Sequence, residues 1–210
     1  MKAATIGLVG VLVLGTMAFS ARPLGCDDPG TQPKDTYGME YNFNNLKTHT
    51  FTFKRGMTDR YELGLAVSHV TDGSTFPYDL VWANKYRFAD KLGDLIDSGA
   101  VLSFSKNSGG GNETYLGVLN SGTIQNVQVN ANLGYNMVAQ TYYSAIALDY
   151  HVLPGVADVI AEYTSTNGVK GYQLGGRVTQ GNIMLDLAFT FAPDSTPAYQ
   201  ATNMGFCYNF

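Results

Sequence analysis

From about residue 36 to Phe210, apolar and polar side chains alternate with a period of two, interrupted at short intervals by turn-forming residues. Successive side chains of an extended strand point to opposite sides, so this pattern dictates strands with one apolar and one polar face. Three stretches carry it without a fault. Ile183, Leu185, Leu187, Phe189 and Phe191 alternate with Met184, Asp186, Ala188 and Thr190; Tyr61, Leu63, Leu65 and Val67 with Glu62, Gly64, Ala66 and Ser68; and Val127, Val129, Ala131, Leu133 and Tyr135 with Gln128, Asn130, Asn132 and Gly134. Twelve strands are predicted, near residues 36–44, 47–55, 60–70, 78–88, 99–106, 113–120, 124–136, 141–152, 157–165, 170–179, 182–192 and 199–210, with ten remaining if the first two or the sixth fail. The separators hold Gly, Asp, Asn, Ser and Pro, as at Gly56–Asp59, Asp72–Ser74, Gly109–Asn112, Ser121–Gly122, Pro154–Gly155, Asn167–Gly168 and Gly181–Asn182.

A set of two-faced strands without helices must close on itself or stack as two sheets, and composition bears on which. Only 14% of the residues are charged, against 24 Gly, 14 Tyr and 11 Phe. A soluble domain carries about a quarter of its residues as charges. A transmembrane barrel needs no such density, because lipid-facing and lumen-facing positions interleave one for one. A lipocalin-like barrel or a sandwich would show the same alternation with the apolar row turned inward. The aromatics Tyr37, Tyr61, Trp82, Tyr86, Phe88, Tyr135, Tyr142, Tyr150, Tyr163, Tyr172 and Phe210 fall mostly near strand ends, the placement of interfacial girdles, and favour the membrane alternative. The start of the chain agrees with export: Met1-Lys2, an apolar run from Ile6 to Phe19, and Ala18-Phe19-Ser20 as a cleavage site. Residues 1–20 are therefore expected as a signal peptide, 21–35 as an N-terminal periplasmic tether and 36–210 as the barrel. The net charge of −4 gives nucleic acid no electrostatic footing.

The last residues, Met204-Gly205-Phe206-Cys207-Tyr208-Asn209-Phe210, put Met204, Phe206, Tyr208 and Phe210 on one face and end on an aromatic. This ending resembles the closing strand and assembly signal of bacterial outer-membrane β-barrels. The resemblance implies a closed, antiparallel, up-and-down all-β barrel in the outer membrane, with outer-membrane lipid, lipopolysaccharide and the barrel assembly machinery as partners. A narrower resemblance lies at Gly56-Met57-Thr58-Asp59-Arg60-Tyr61-Glu62-Leu63-Gly64-Leu65 and Asn84-Lys85-Tyr86-Arg87-Phe88. This pattern is similar to outer-membrane channels grouped with the meta-pathway of phenol degradation, and implies passive passage of small hydrophobic or aromatic solutes. With both termini periplasmic, the tight turns Met57-Thr58, Ser121-Gly122, Pro154-Gly155 and Gln180-Gly181 fall on the periplasmic side, and the longer Thr71–Phe76 and Ala192–Pro197 fall outside. Ala89–Ser98 breaks that rule, either as a short helix or as a slip in the strand count.

The predicted inward positions collect Glu40, Lys54, Glu62, Lys85, Arg87, Asp149, Glu162, Arg177 and Asp186. Opposite charges pair across a narrow barrel, since an isolated buried charge is strongly penalised. Such a set forms either a structural network filling the interior or rings that tune a polar channel by their field. Lys85 and Arg87 share one strand and predict a basic stripe opposite acidic neighbours. Asp149 and His151 are two apart and so share the inner face, as in omptin proteases, but no nucleophile or activated water can be placed beside them. Ser68 and His69 point to opposite faces. No catalytic role, metal site or cofactor is assigned. Cys26 and Cys207 are the two cysteines, and a segment folded back into or beside the barrel would bring them together as a disulfide across the closing seam, the alternative being free or differently paired thiols. The expectation is thus an outer-membrane channel for small solutes, with a structural or adhesive barrel of plugged lumen, or a barrel-type hydrolase, as the alternatives.

Overall fold

A computed structural model describes residues 26–44, 48–70, 78–92, 96–106, 111–194 and 199–210. The expected signal peptide at 1–20 and the loop around Asp72–Ser74 lie outside these residues. The described chain forms twelve strands: β1 Tyr37–Asn44, β2 Thr48–Thr58, β3 Tyr61–Val70, β4 Tyr78–Leu92, β5 Ile96–Lys106, β6 Asn112–Ile124, β7 Val127–Asn136, β8 Thr141–Leu153, β9 Ala157–Thr166, β10 Val169–Gln180, β11 Ile183–Ala192 and β12 Tyr199–Asn209. Each pairs antiparallel with its neighbours in sequence, and β1 pairs with β12, so the sheet is a closed barrel with no free edge.

Closure is sealed at the rim that carries both ends of the wall. Gly38 pairs with Asn209 and Asn44 with Asn203, and beyond the ladder Tyr37 and Phe210 exchange backbone hydrogen bonds of 2.8 and 2.9 Å. The Phe210 ring stacks at 5.6 Å on Tyr37 and at 5.8 Å on Tyr208.

The period of two decides which face is which. Along β11, Ile183, Leu185, Leu187, Phe189 and Phe191 are exposed on the outside, while Asp186 and Ala188 are buried inside. The same division holds along β3, where Leu65 is exposed and Glu62, Ala66 and Ser68 are buried, and along β12, where Met204, Phe206 and Tyr208 face out and Cys207 faces in. A soluble barrel would reverse the faces. An exterior of Leu, Phe, Trp, Tyr, Val and Ile this continuous is stable only against hydrocarbon, and a closed sheet leaves no backbone group unpaired there. The chain is a membrane-spanning β-barrel.

Four local expectations change. Met57-Thr58 is not the turn but the end of β2, and the chain reverses at Asp59-Arg60. Ser121-Gly122 is not a turn: it lies inside β6, held on both sides by Ile96 and Val129 opposite Gly122, and the chain reverses at Gln125, which adopts φ 55°. Ala89–Ser98 is neither a helix nor a slip. Strands β4 and β5 run on through it to Leu92 and from Ile96, with register shifts between Arg87 and Ala89 and between Ala89 and Leu92 that absorb the irregular pattern. The segment before β1, expected as a periplasmic tether, instead runs into the barrel over residues 26–35. It bends inward at Gly56, where Asp35 N donates to Gly56 O at 2.9 Å and Gly56 N to Thr36 O at 3.0 Å. A Cβ on Gly56 would overlap the backbone oxygens of Gln32 and Pro33, so this close passage requires glycine.

The interior is partly filled by side chains. Ala83, Val101 and Leu119 form one buried cluster, Tyr143, Ala145, Ala147 and Cys26 another, and Tyr115 packs against both. Gly134 opposite Gly117 leaves the space that the Tyr115 ring occupies, since a Cβ at Gly134 would collide with it.

Candidate functional site

The lumen is a polar environment that the strands build, and its charges come from alternate positions of the wall. Glu40, Lys54, Glu62 and Lys85 stand inward on β1 to β4, and Asp149, Glu162, Arg177 and Asp186 on β8 to β11, all buried. Asp79 on β4 joins them. Among the described residues the buried wall thus holds six carboxylates (Glu40, Glu62, Asp79, Asp149, Glu162, Asp186) and three cations (Lys54, Lys85, Arg177). Arg87 is only half buried and does not extend a basic stripe from Lys85. It lies beside the register shift that follows it in β4 and turns to the β2–β3 connection, donating from Nη2 to Asp59 O at 2.9 Å.

Each buried cation holds a carboxylate. Arg177 binds Asp186 with two of its guanidinium nitrogens, Nε at 2.7 Å and Nη2 at 3.2 Å, across the directly opposed β10–β11 pair. Lys54 Nζ lies 2.6 Å from Glu40 Oε1. Lys85 Nζ lies 3.0 Å from Oδ2 of Asp27, which belongs to the incoming segment and not to the wall. The bidentate Arg177–Asp186 pair fixes geometry, and removing one member of a buried pair leaves the other buried and uncompensated.

Residues 26–35 cross the lumen through a series of specific bonds. Lys34 N donates to Asp59 Oδ1 at 3.1 Å and Thr31 Oγ1 to Asp59 O at 3.0 Å. Gln32 N donates to Glu62 Oε2 at 2.7 Å, and its Nε2 to Asn209 Oδ1 at 2.9 Å. Pro29 is fully buried against Gly99. At the far wall Cys26 N donates to Glu162 Oε2 at 2.8 Å, with its side chain among Tyr143, Ala145 and Ala147. The segment has therefore passed Cys207, which stays on β12 with its Sγ 3.8 Å from Asn209 Oδ1. The expected Cys26–Cys207 disulfide is not formed, because the segment reaches β8 and β9 before Cys26 comes to rest.

Space remains beside the segment. Asp27, Asp28, Gly30, Thr31 and Gln32 on one side and Glu40, Lys54, Glu62, Lys85, Arg177, Met184 and Cys207 on the other bound a cavity of about 250 Å³. Glu40 Oε2 and Glu62 Oε1 are buried there without a hydrogen-bond partner.

Catalytic geometry is not assembled around the histidine considered above. His151 Nδ1 lies 2.7 Å from Asp158 Oδ1 on the neighbouring strand, whereas Asp149 accepts from Asn130 Nδ2 at 3.4 Å. Ser68 meets Thr50 across the strand pair at 2.9 Å, and His69 stacks on Tyr78 at 5.0 Å. Among the described residues no group of three or more His, Cys, Asp or Glu side chains is placed to hold a metal ion. Sequence reasoning missed Asp27 and Asp28 as lumen residues, because a Pro, Gly and Asp-rich stretch carries no strand period. It also missed Tyr115 and Tyr143 as interior aromatics; in Tyr142-Tyr143 alternation sends one ring out and the other in.

No protein-family model and no curated protein matches the chain. Among solved structures it is similar to the KdgM porin in complex with disordered oligogalacturonate, at a TM-score of 0.68 and 10% identity, covering 83% of this chain and 99% of that one. The NanC porin matches at 0.59 and 8% identity over 82% and 98% of the two chains. Omp33, an outer-membrane protein of Acinetobacter baumannii, matches at 0.59 and 10% identity over 86% and 100%. These likenesses establish the fold of bacterial outer-membrane porins. They lend no specific support to the meta-pathway channel group.

Proposed function

We propose that this chain is a passive outer-membrane channel for small solutes. The observation that carries the reading is a closed barrel, apolar outside and charged inside, whose lumen keeps a cavity of about 250 Å³ beside the segment that enters it. A solute crossing the wall's interior meets carboxylates, ammonium groups, Asn and Thr, so small polar or charged molecules suit the path better than the hydrophobic or aromatic ones that the meta-pathway resemblance implies. In this setting the exterior rows contact outer-membrane lipid and lipopolysaccharide, and Phe206, Tyr208 and Phe210 present the closing strand to the barrel assembly machinery. The protein acts without a cofactor, and its charged side chains orient and screen solutes and do no chemistry.

A second reading has its own support. Residues 26–35 cross the lumen, as a sealed structural or adhesive barrel would require. Liposome swelling separates the two. Proteoliposomes of the purified protein are expected to swell in small sugars or amino acids at a rate that falls with solute size; vesicles that stay osmotically tight to all of them would sink the channel reading and leave the sealed barrel.

A further inference from the structure

We infer that the channel is cation-selective and that Asp27 and Asp28, brought into the lumen by the chain's own N-terminal segment, are specificity-determining residues. This inference rests on the channel reading above. Among the described residues the wall's buried carboxylates outnumber its buried cations by three, and the half-buried Asp27 and Asp28, set against the half-buried Arg87, add to that excess. Among the described residues the three buried cations already hold carboxylates: Lys54 holds Glu40, Arg177 holds Asp186, and Lys85 holds Asp27 itself. A chloride or carboxylate solute therefore meets cations that are neutralised at contact distance, within a field set by the surplus acids.

The geometry of the cavity makes the same point independently. Glu40 Oε2 and Glu62 Oε1 are buried without a hydrogen-bond partner, and both residues bound the space that Asp28 also lines. Carboxylate oxygens accept and never donate while ionised, so the groups they can receive in transit are cations, or donors such as water and ammonium. A low-dielectric wall around the space concentrates the field on whatever passes. Asp27 acts twice. It adds a negative charge, and it removes Lys85 from the set of cations that an anion could use.

The test is a reversal-potential measurement on the full-length protein in planar bilayers under a KCl gradient. The wild type is expected to pass potassium over chloride, and D27N/D28N to lower that permeability ratio by at least about twofold, because the variant removes two lumen charges and releases Lys85. Heat-modifiable migration on gels establishes that the variant barrel is closed, as the substitutions lie outside the strands. A chloride preference in the wild type, or a ratio unchanged in a closed D27N/D28N barrel, overturns the inference while leaving a channel in place. Absence of any current in the wild type overturns the channel reading itself, and selectivity with it.

Discussion

Arg177 and Asp186 show how much of this interior is decided at single residues. They face each other across one cross-strand pair, both buried, with two nitrogens on two oxygens. Asp186→Ala strands a guanidinium among apolar and acidic neighbours, and breaking a buried pair in this way costs on the order of 3–5 kcal/mol. Urea titration in detergent or lipid is expected to show a loss of that size, with the double variant R177M/D186L recovering most of it because no charge is left uncompensated. Equal loss in both variants would mean that the space, and not the charge, matters. Alternation places both side chains inward, so their burial is legible from sequence. Their partnership is not, because register across β10–β11 depends on the two-residue turn at Gly181-Asn182, and a shift of one residue would send every side chain of one strand to the opposite face.

At the scale of the strand, existence and facing were readable while ends were not. The twelve segments correspond to twelve strands because lipid accepts only an unbroken outer apolar row, and that demand prints a period of two on the sequence. Ends fail where turn-forming residues are held inside a ladder. Ser121-Gly122 has the composition of a turn, yet paired strands on both sides keep it extended. At Asn167-Gly168 the composition tells the truth: φ values of 48° and 85° are those of a two-residue turn with both central residues left-handed, the twist that joins β9 to β10 without splaying them. The outer row itself can be tested at Leu187, which is exposed between β10 and β12. Leu187→Arg is expected to destabilise the inserted barrel by about 2–4 kcal/mol if the position sits near the bilayer midplane, and Ala188→Ser on the adjacent inner position by far less. Refolding into lipid at graded urea concentrations measures both, and comparable losses would argue that the apolar face does not meet hydrocarbon.

The whole molecule is a wall plus something the wall surrounds, and only the wall announces itself in the sequence. Strand period, closing aromatic and even strand number all describe the sheet. Residues 26–35 have no period and no helical pattern; their structure consists of side-chain and backbone bonds to Glu62, Lys85, Asp59 and Glu162, contacts that exist only once the barrel has brought those residues round. The passage at Gly56 is where the two parts can be told apart. Its missing side chain is the doorway, and the jambs are backbone atoms of Gln32 and Pro33 that cannot rotate aside. Gly56→Val leaves an ordinary inward residue on β2, so closure is expected to survive while the segment is shut out, and single-channel conductance should rise above that of the wild type. Unchanged conductance in a closed barrel would show that the segment does not narrow the path. The one hydrogen atom at Gly56 thereby sets how closely the incoming segment can pass the wall, and with it how much of the bore that segment occupies.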